Sequence, residues 1–177
     1  NQIRRHIPPL YRLGQEWTLL YSLDQHGISL GTLYSRTSKF TTEGGCLLCV
    51  KDDNDTIFGV WIGDGIRRSI GESYYGSGES FLWKQQADTD FSDGRPTKAR
   101  VFKWTGKNEY VALCLPDSMS FGGGDGKYGL FLDSNLLDGS SAPCPTFDNE
   151  ILCSDLQDGK GMARFECVGL EVWGIPR

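Results

Sequence analysis

The chain has no run of basic residues longer than the pairs Arg4-Arg5 and Arg67-Arg68, and its formal net charge is −5. A surface that tracks phosphates along a strand needs clustered Lys and Arg, so nucleic acid is not an expected partner. No apolar run approaches the roughly 20 residues of a helical membrane span, and membrane insertion is not expected. No signal-peptide pattern opens the chain. It starts at Asn1 rather than Met, and is read as a piece of a longer protein whose upstream targeting segment, if there is one, lies outside it. His6 and His26 are the only histidines, and no G-x-S-x-G elbow frames Ser77, Ser80 or Ser141. A nucleophilic triad is therefore not expected, and His26, at the approach to a helix, reads as a hydrogen-bonded structural residue.

What is present is a chain of 177 residues with 12% aromatics and 23 glycines. That length buries roughly 70% of the unfolded surface, and one domain is expected. The division is a short N-terminal arm or helix over 1–16, containing Pro8-Pro9, and a single domain over 17–177. Trp17–Ser22 reads as a strand. Ser29 offers a helix cap, and Leu30, Leu33 and Tyr34 follow at helical spacing to about Ser38. Cys46–Lys51 and Thr56–Ile62 are apolar runs joined by Asp52-Asp53-Asn54-Asp55, which predicts a β-hairpin. Further strands are expected at Phe81–Gln85, Arg100–Trp104, Tyr110–Leu115 and Tyr128–Asp133. A second hairpin turn is expected at Thr105–Asn108, and a polar loop between Gln86 and Lys98. Near the end, Phe165 and Cys167 keep one alternation phase while Leu170 and Val172 keep the other. A β-bulge at Gly169 reconciles them and turns Glu171 to the side opposite Leu170 and Val172. Many short strands and few helices predict a mainly β fold of two packed antiparallel sheets, a β-sandwich with a few short peripheral helices.

Several chemical motifs fail on context. Gly124–Gly129 fits G-x-G-x-x-G, but it feeds Leu130-Phe131-Leu132, a strand, where a dinucleotide site needs a helix; a tight turn is expected. Cys46-x-x-Cys49 has no second pair to complete a zinc site, and in a strand the two sulfurs point to opposite faces. Asp88, Asp90 and Asp93-Gly94 are out of register for a calcium loop. The six cysteines read as small buried hydrophobes in a reducing compartment. No catalytic residue, cofactor or metal is assigned. Glu79, entering an apolar strand in YYGSGESFLW (Tyr74–Trp83), and Glu171, inside the strand LEVWG (Leu170–Gly174), remain as isolated acids. They suit acid–base chemistry only if they converge; otherwise they accept backbone N–H bonds near the glycine turns.

Those two strings, with WTLLYSLDQHGISL (Trp17–Leu30), IFGVWIGD (Ile57–Asp64), VFKWTGKNEYV (Val101–Val111), MSFGGGDGKYGLFLDSNLLDGSS (Met119–Ser141), CPTFDNEIL (Cys144–Leu152) and FECVGLEVWG (Phe165–Gly174), resemble the TLDc domain of the oxidation-resistance family. The chain is similar to short fungal members made of little beyond this domain. The resemblance implies a β-sandwich without established catalytic mechanism, cofactor or metal. It also implies a monomeric interaction domain that binds soluble-sector subunits of the vacuolar-type proton ATPase, regulates its assembly or activity, and supports resistance to oxidative stress. Location is expected in the cytoplasm, at the vacuolar or endomembrane surface, with a mitochondrial pool if a targeting segment is present. Contacts are expected from turns, Gly122–Tyr128 and Asp138–Pro145. The named candidates for interaction or loop-bracing are Glu79, Glu171, Gly76, Gly78, Gly122, Gly123, Gly124 and Asp125. The alternative is a peroxide-scavenging or other enzyme using Cys114, Cys144 or Cys153, although none of the six cysteines has a Lys, Arg or His beside it in sequence.

Overall fold

The computed structural model describes residues 16–87, 96–153 and 161–177. Pro8-Pro9 and the arm over 1–15 lie outside the described residues, as do the acids of the rejected calcium loop.

The apolar runs fold as strands with both faces covered. β1 (Thr18–Ser22) leads into a one-turn helix, α1 (Leu23–His26), and then α2 (Leu30–Thr37) and a short 3-10 turn (Ser38–Phe40). Ser29 caps α2 as predicted, its Oγ accepting from Thr32 N at 3.1 Å. His26 Nδ1 accepts from Ser22 N at 3.0 Å and its ring stacks on Tyr21, a structural role. β2 (Gly44–Asp52) and β3 (Ile57–Ile62) form the predicted hairpin. Its turn is made by Asp52, whose Oδ1 accepts from Asn54 N and Thr56 N, both at 2.9 Å.

β4 (Phe81–Ala87) and β5 (Pro96–Lys103) extend this sheet, pairing into the stretch expected to be loop. β6 (Ala112–Cys114), β7 (Ser118–Phe121), β8 (Leu130–Asp133) and β9 (Asp138–Ser141) form a second antiparallel ladder. β7 was not expected, and β9 corrects the expectation of a turn over Asp138–Pro145, whose first four residues are strand. The expectation of a hairpin turn at Thr105–Asn108 is corrected: β5 and β6 do not pair, and stand at opposite ends of the strand order β5-β4-β3-β2-β10-β9-β8-β7-β6. The segment crosses from one sheet to the other.

β10 (Ala163–Pro176) belongs to both sheets. Its first residues pair with β9, Phe165 opposite Gly139. Its later residues lie between β2 and β1, with Glu171 opposite Cys49 and Ser22. The register slips between Cys167 and Gly169, leaving Val168 51% exposed as the extra residue. This is the predicted bulge, and it marks where the strand changes sheets.

Between the sheets, Leu48, Val50, Phe58, Val60 and Leu82 meet Met119, Phe121, Leu130, Leu132 and Phe165. Phe58 and Phe165 pack edge-to-face with centroids 5.0 Å apart. The alternate residues of the first sheet, Leu47, Trp61, Phe81, Trp83 and Ile175, form a separate buried cluster on its other face. Two buried faces account for the nearly continuous apolar runs of β2 and β3, which simple alternation would not give.

Candidate functional site

The glycine-rich strings converge where the crossing segment 104–111 passes between sheets. Tyr75 forms an isolated antiparallel bridge with Ala112, with N···O distances of 2.9 and 2.8 Å. Its hydroxyl donates to Gly65 O at 3.1 Å and accepts from Arg67 N at 3.0 Å. Gly76 follows at φ 118°, and a Cβ there would fall 2.5 Å from Val111 Cγ1. Gly78 sits against the Trp104 ring. Tyr74 leans on Tyr110, ring centroids 4.8 Å apart.

From the other side comes Gly122-Gly123-Gly124. Gly122 has φ 80°, and a Cβ would meet Cys144 Sγ at 2.6 Å and the Phe147 ring at 3.0 Å. Gly123 is held at both ends, its N–H donating to Thr146 Oγ1 at 2.9 Å and its carbonyl accepting from that hydroxyl at 3.1 Å. Gly124 O accepts from Lys127 N at 3.1 Å, closing a turn in which Asp125 takes φ 56°. The G-x-G-x-x-G string is thus a tight turn feeding β8, as expected from context.

Polar side chains that the sequence reading passed over knit these loops. Thr146 sits near Asn108 Oδ1 (2.7 Å), and the Asn108 carbonyl accepts from Trp104 Nε1 at 2.7 Å. Buried Asn149 accepts from Cys144 N at 3.2 Å and donates to the carbonyls of Ala142 and Glu150 at 3.0 and 2.9 Å. Glu150 in turn pairs with Lys84 of β4 at 2.5 Å and Arg100 of β5 at 2.7 Å, tying the 142–153 segment to the first sheet. Asn149→Ala strands these backbone groups in a dry interior, and is expected to cost about 2–3 kcal/mol in urea unfolding. Their signal lay in CPTFDNEIL, where Thr, Asp and Asn interrupt an otherwise strand-like string.

The loops bound a cleft of about 430 Å³ lined by Lys107, Asp125, Lys127, Pro143, Cys144, Pro145, Asp148 and Asn149. Lys107 and Asp148 pair across it at 2.8 Å. Two aromatic rings are left at the surface of this region, Tyr110 at 44% and Tyr128 at 37% exposure.

Glu79 and Glu171 stand apart. Glu79 is exposed ahead of β4 and forms no hydrogen bond or ion pair among the described residues. Glu171 is exposed on β10, opposite in direction to buried Leu170 and Val172 as predicted, and accepts from Trp173 Nε1 at 2.9 Å. Three strand spacings, about 14 Å, separate β10 from β4, so the two carboxylates do not converge on one reacting atom. The glycine turns of the site are closed by Thr146, Asn108 and backbone groups.

All six cysteines are free thiols. Cys46 and Cys49 point to opposite faces of β2, one in each apolar cluster, as the strand geometry predicts. Burial pushes Cys46 and Cys167 up to about 12 and Cys114 up to about 11. Cys49 also rises to about 12, through burial and then the neighbouring Glu171 carboxylate. Burial raises Cys144 as well. A peroxide-reducing thiol needs the opposite shift and an open approach. Among the described residues, no group of three or more His, Cys, Asp or Glu side chains is placed to hold a metal ion.

A family model described as the TLDc domain matches residues 1–176. The chain is similar to a protein named oxidation resistance protein 1 in Cryptococcus neoformans var. neoformans serotype D, 44% identical over 172 residues, covering 94% of this chain and 35% of that one. It is similar to proteins of the same name in Yarrowia lipolytica, 39% identical over 178 residues, and Saccharomyces cerevisiae, 36% over 197 residues, each covering 99% of this chain and 70% of the relative. The chain therefore spans about a third of the Cryptococcus relative. With its match to the family model from end to end, the chain belongs to the TLDc domain family.

Proposed function

We propose that this domain is a non-enzymatic docking module whose glycine-built loops bind the soluble sector of the vacuolar-type proton ATPase, regulate its assembly or activity, and thereby support resistance to oxidative stress. The observation that carries this reading is the pairing of immobilised loops with two half-exposed tyrosines, Tyr110 and Tyr128, beside the Gly122–Tyr128 turn. Rigid aromatic rings on a rigid frame lose little entropy on binding and dominate interface energetics. The stress role is supported by the names of the relatives, and the partner by the family resemblance; the domain acts as a monomer in the cytoplasm, at the surface of the membrane that carries the ATPase. Regulation follows if the loops prefer one assembly state by about 1–3 kcal/mol, since a ligand with equal affinity for both states shifts nothing.

The test is co-sedimentation of the domain with intact ATPase and with its detached soluble sector, alongside ATP hydrolysis. Wild type should favour one form and change the hydrolysis rate. Tyr110→Ala with Tyr128→Ala should weaken binding at least about tenfold while leaving the thermal midpoint nearly unchanged. Binding to neither form, with hydrolysis unaltered, would end the proposal.

A further inference from the structure

Away from the loops, a second cleft of about 550 Å³ opens between α2 and the segment that follows β3. Gly31, Tyr34, Ser35 and Ser38 line one side, and Arg67 and Arg68 the other. The helix residues fall at i, i+3, i+4 and i+7, one continuous face. Arg67 is posed rather than free: its guanidinium lies 4.1 Å from the centroid of the Tyr75 ring, and its Nη1 donates to Arg68 O at 3.5 Å. Tyr75 is itself pinned by Gly65, Arg67 N and Ala112, so the guanidinium rests on a fixed platform.

Neither arginine has a carboxylate partner among the described residues, in a chain of net charge −5 with several pairs elsewhere. The exposed Asp117 and Arg68 both bear on the Tyr34 hydroxyl. That hydroxyl is already spent on Leu115 O and Ser118 O, at 2.8 and 3.1 Å. The Ser35 and Ser38 hydroxyls are exposed to the cleft and make no side-chain hydrogen bond among the described residues.

Gly31 supplies a separate observation. Within α2, glycine weakens the helix relative to alanine. It has no turn to make there, and a Cβ would meet nothing nearer than Ser29 Oγ at 3.7 Å. The missing side chain leaves open the cleft and nothing else.

We propose that this cleft binds a phosphate monoester carried on a peptide, that is, a phosphoserine or phosphothreonine side chain of a protein partner. Two guanidinium groups supply forked, charge-assisted donors for the dianion, and the serine hydroxyls complete its shell. The volume, several times that of a phosphate alone, accommodates the residues on either side of the modified one. The site is independent of the loop surface and of the ATPase reading.

Two arms test it on the folded domain. In the first, inorganic phosphate is titrated while amide spectra are recorded. Saturable shifts confined to Gly31, Ser35, Ser38, Arg67 and Arg68 are expected. In the second, an immobilised degenerate phosphoserine peptide library is compared with its unphosphorylated twin, and retention should differ at least about tenfold. Arg68→Glu and Gly31→Met should each abolish that difference. Gly31→Met also replaces a poor helix former on an exposed face, so it should leave the thermal midpoint unchanged or raised, separating a blocked cleft from a damaged fold. Absence of saturable shifts would overturn the proposal. So would shifts without preference for the phosphorylated library, which would mark a site for free anions, and so would undiminished preference in Gly31→Met.

Discussion

Gly122→Val is expected to destabilise the domain by about 4 kcal/mol or more, whereas Gly126→Ala, a few residues along the same turn, should cost only about 1 kcal/mol. Both glycines have positive φ, 80° and 73°, so both substitutions carry backbone strain. They differ in space. A Cβ at 126 meets nothing within 4 Å, while one at 122 meets Cys144 Sγ at 2.6 Å and Phe147 at 3.0 Å. Cys144 and Phe147 are buried, so neither can swing aside without opening the core. Urea unfolding of the two variants measures the contrast. If both lost the same small amount, the Cys144–Asn149 segment would be far more yielding than its hydrogen bonds imply.

Raising the pH should destabilise the domain progressively above about pH 8.5, as the buried thiols are driven to ionise. Cys46, Cys49 and Cys167 titrate near 12 and Cys114 near 11 in the folded chain, while an unfolded thiol titrates near 8.5. Between those limits the unfolded state holds fewer protons than the folded one, so stability falls as pH rises. It is fully present below about pH 8.5 and lost progressively toward 11–12, by about 1.4 kcal/mol per unit for each thiol. Four such thiols acting together would consume an ordinary folding stability by about pH 10–11. Denaturant titrations from pH 7 upward should show this slope, and Cys49→Ala, at a half-buried position, should reduce it by about a quarter. A flat profile to pH 11 would contradict the burial of these groups. The same shifts bear on the peroxide-scavenging alternative: with thiols held protonated at neutral pH, the folded domain should react with peroxide or alkylating reagents no faster than an unactivated cysteine.

What the sequence disclosed follows from how far each determinant reaches. The Ser29 cap, the Asp52 turn and the bulge at Gly169 are set by residues within a few positions of one another, and each was legible. β7 and β9 were not: Ser118–Phe121 and Asp138–Ser141 have too few apolar residues to show a period and are strands because β8 lies between them. Thr105–Asn108 has hairpin composition, yet its partners are Pro145 and Thr146, far along the chain, which turn it into a bridge between sheets. At the site, the glycine strings announced themselves, since a glycine pair beside an aromatic run marks a place where chain segments approach one another closely. Thr146 and Asn149 left only the polar interruption of CPTFDNEIL, and Asn108 no signal, because an exposed and a buried polar side chain read alike until the fold brings their partners together. Glu79 illustrates the converse. Its apolar neighbours made it conspicuous, but the turn ahead of β4 leaves it exposed and buries Ser80 instead.

β10 has consequences for how the chain reaches this form. It is the last of the described strands in chain order, yet it supplies the partner for β1, the flank of β2 and the edge on which β9 rests. During synthesis, β1, β2 and β9 must wait without this partner until Ala163–Pro176 clears the ribosome. Nascent chains should therefore remain protease-sensitive and dependent on holding chaperones until that segment emerges, and then close in a single concerted event.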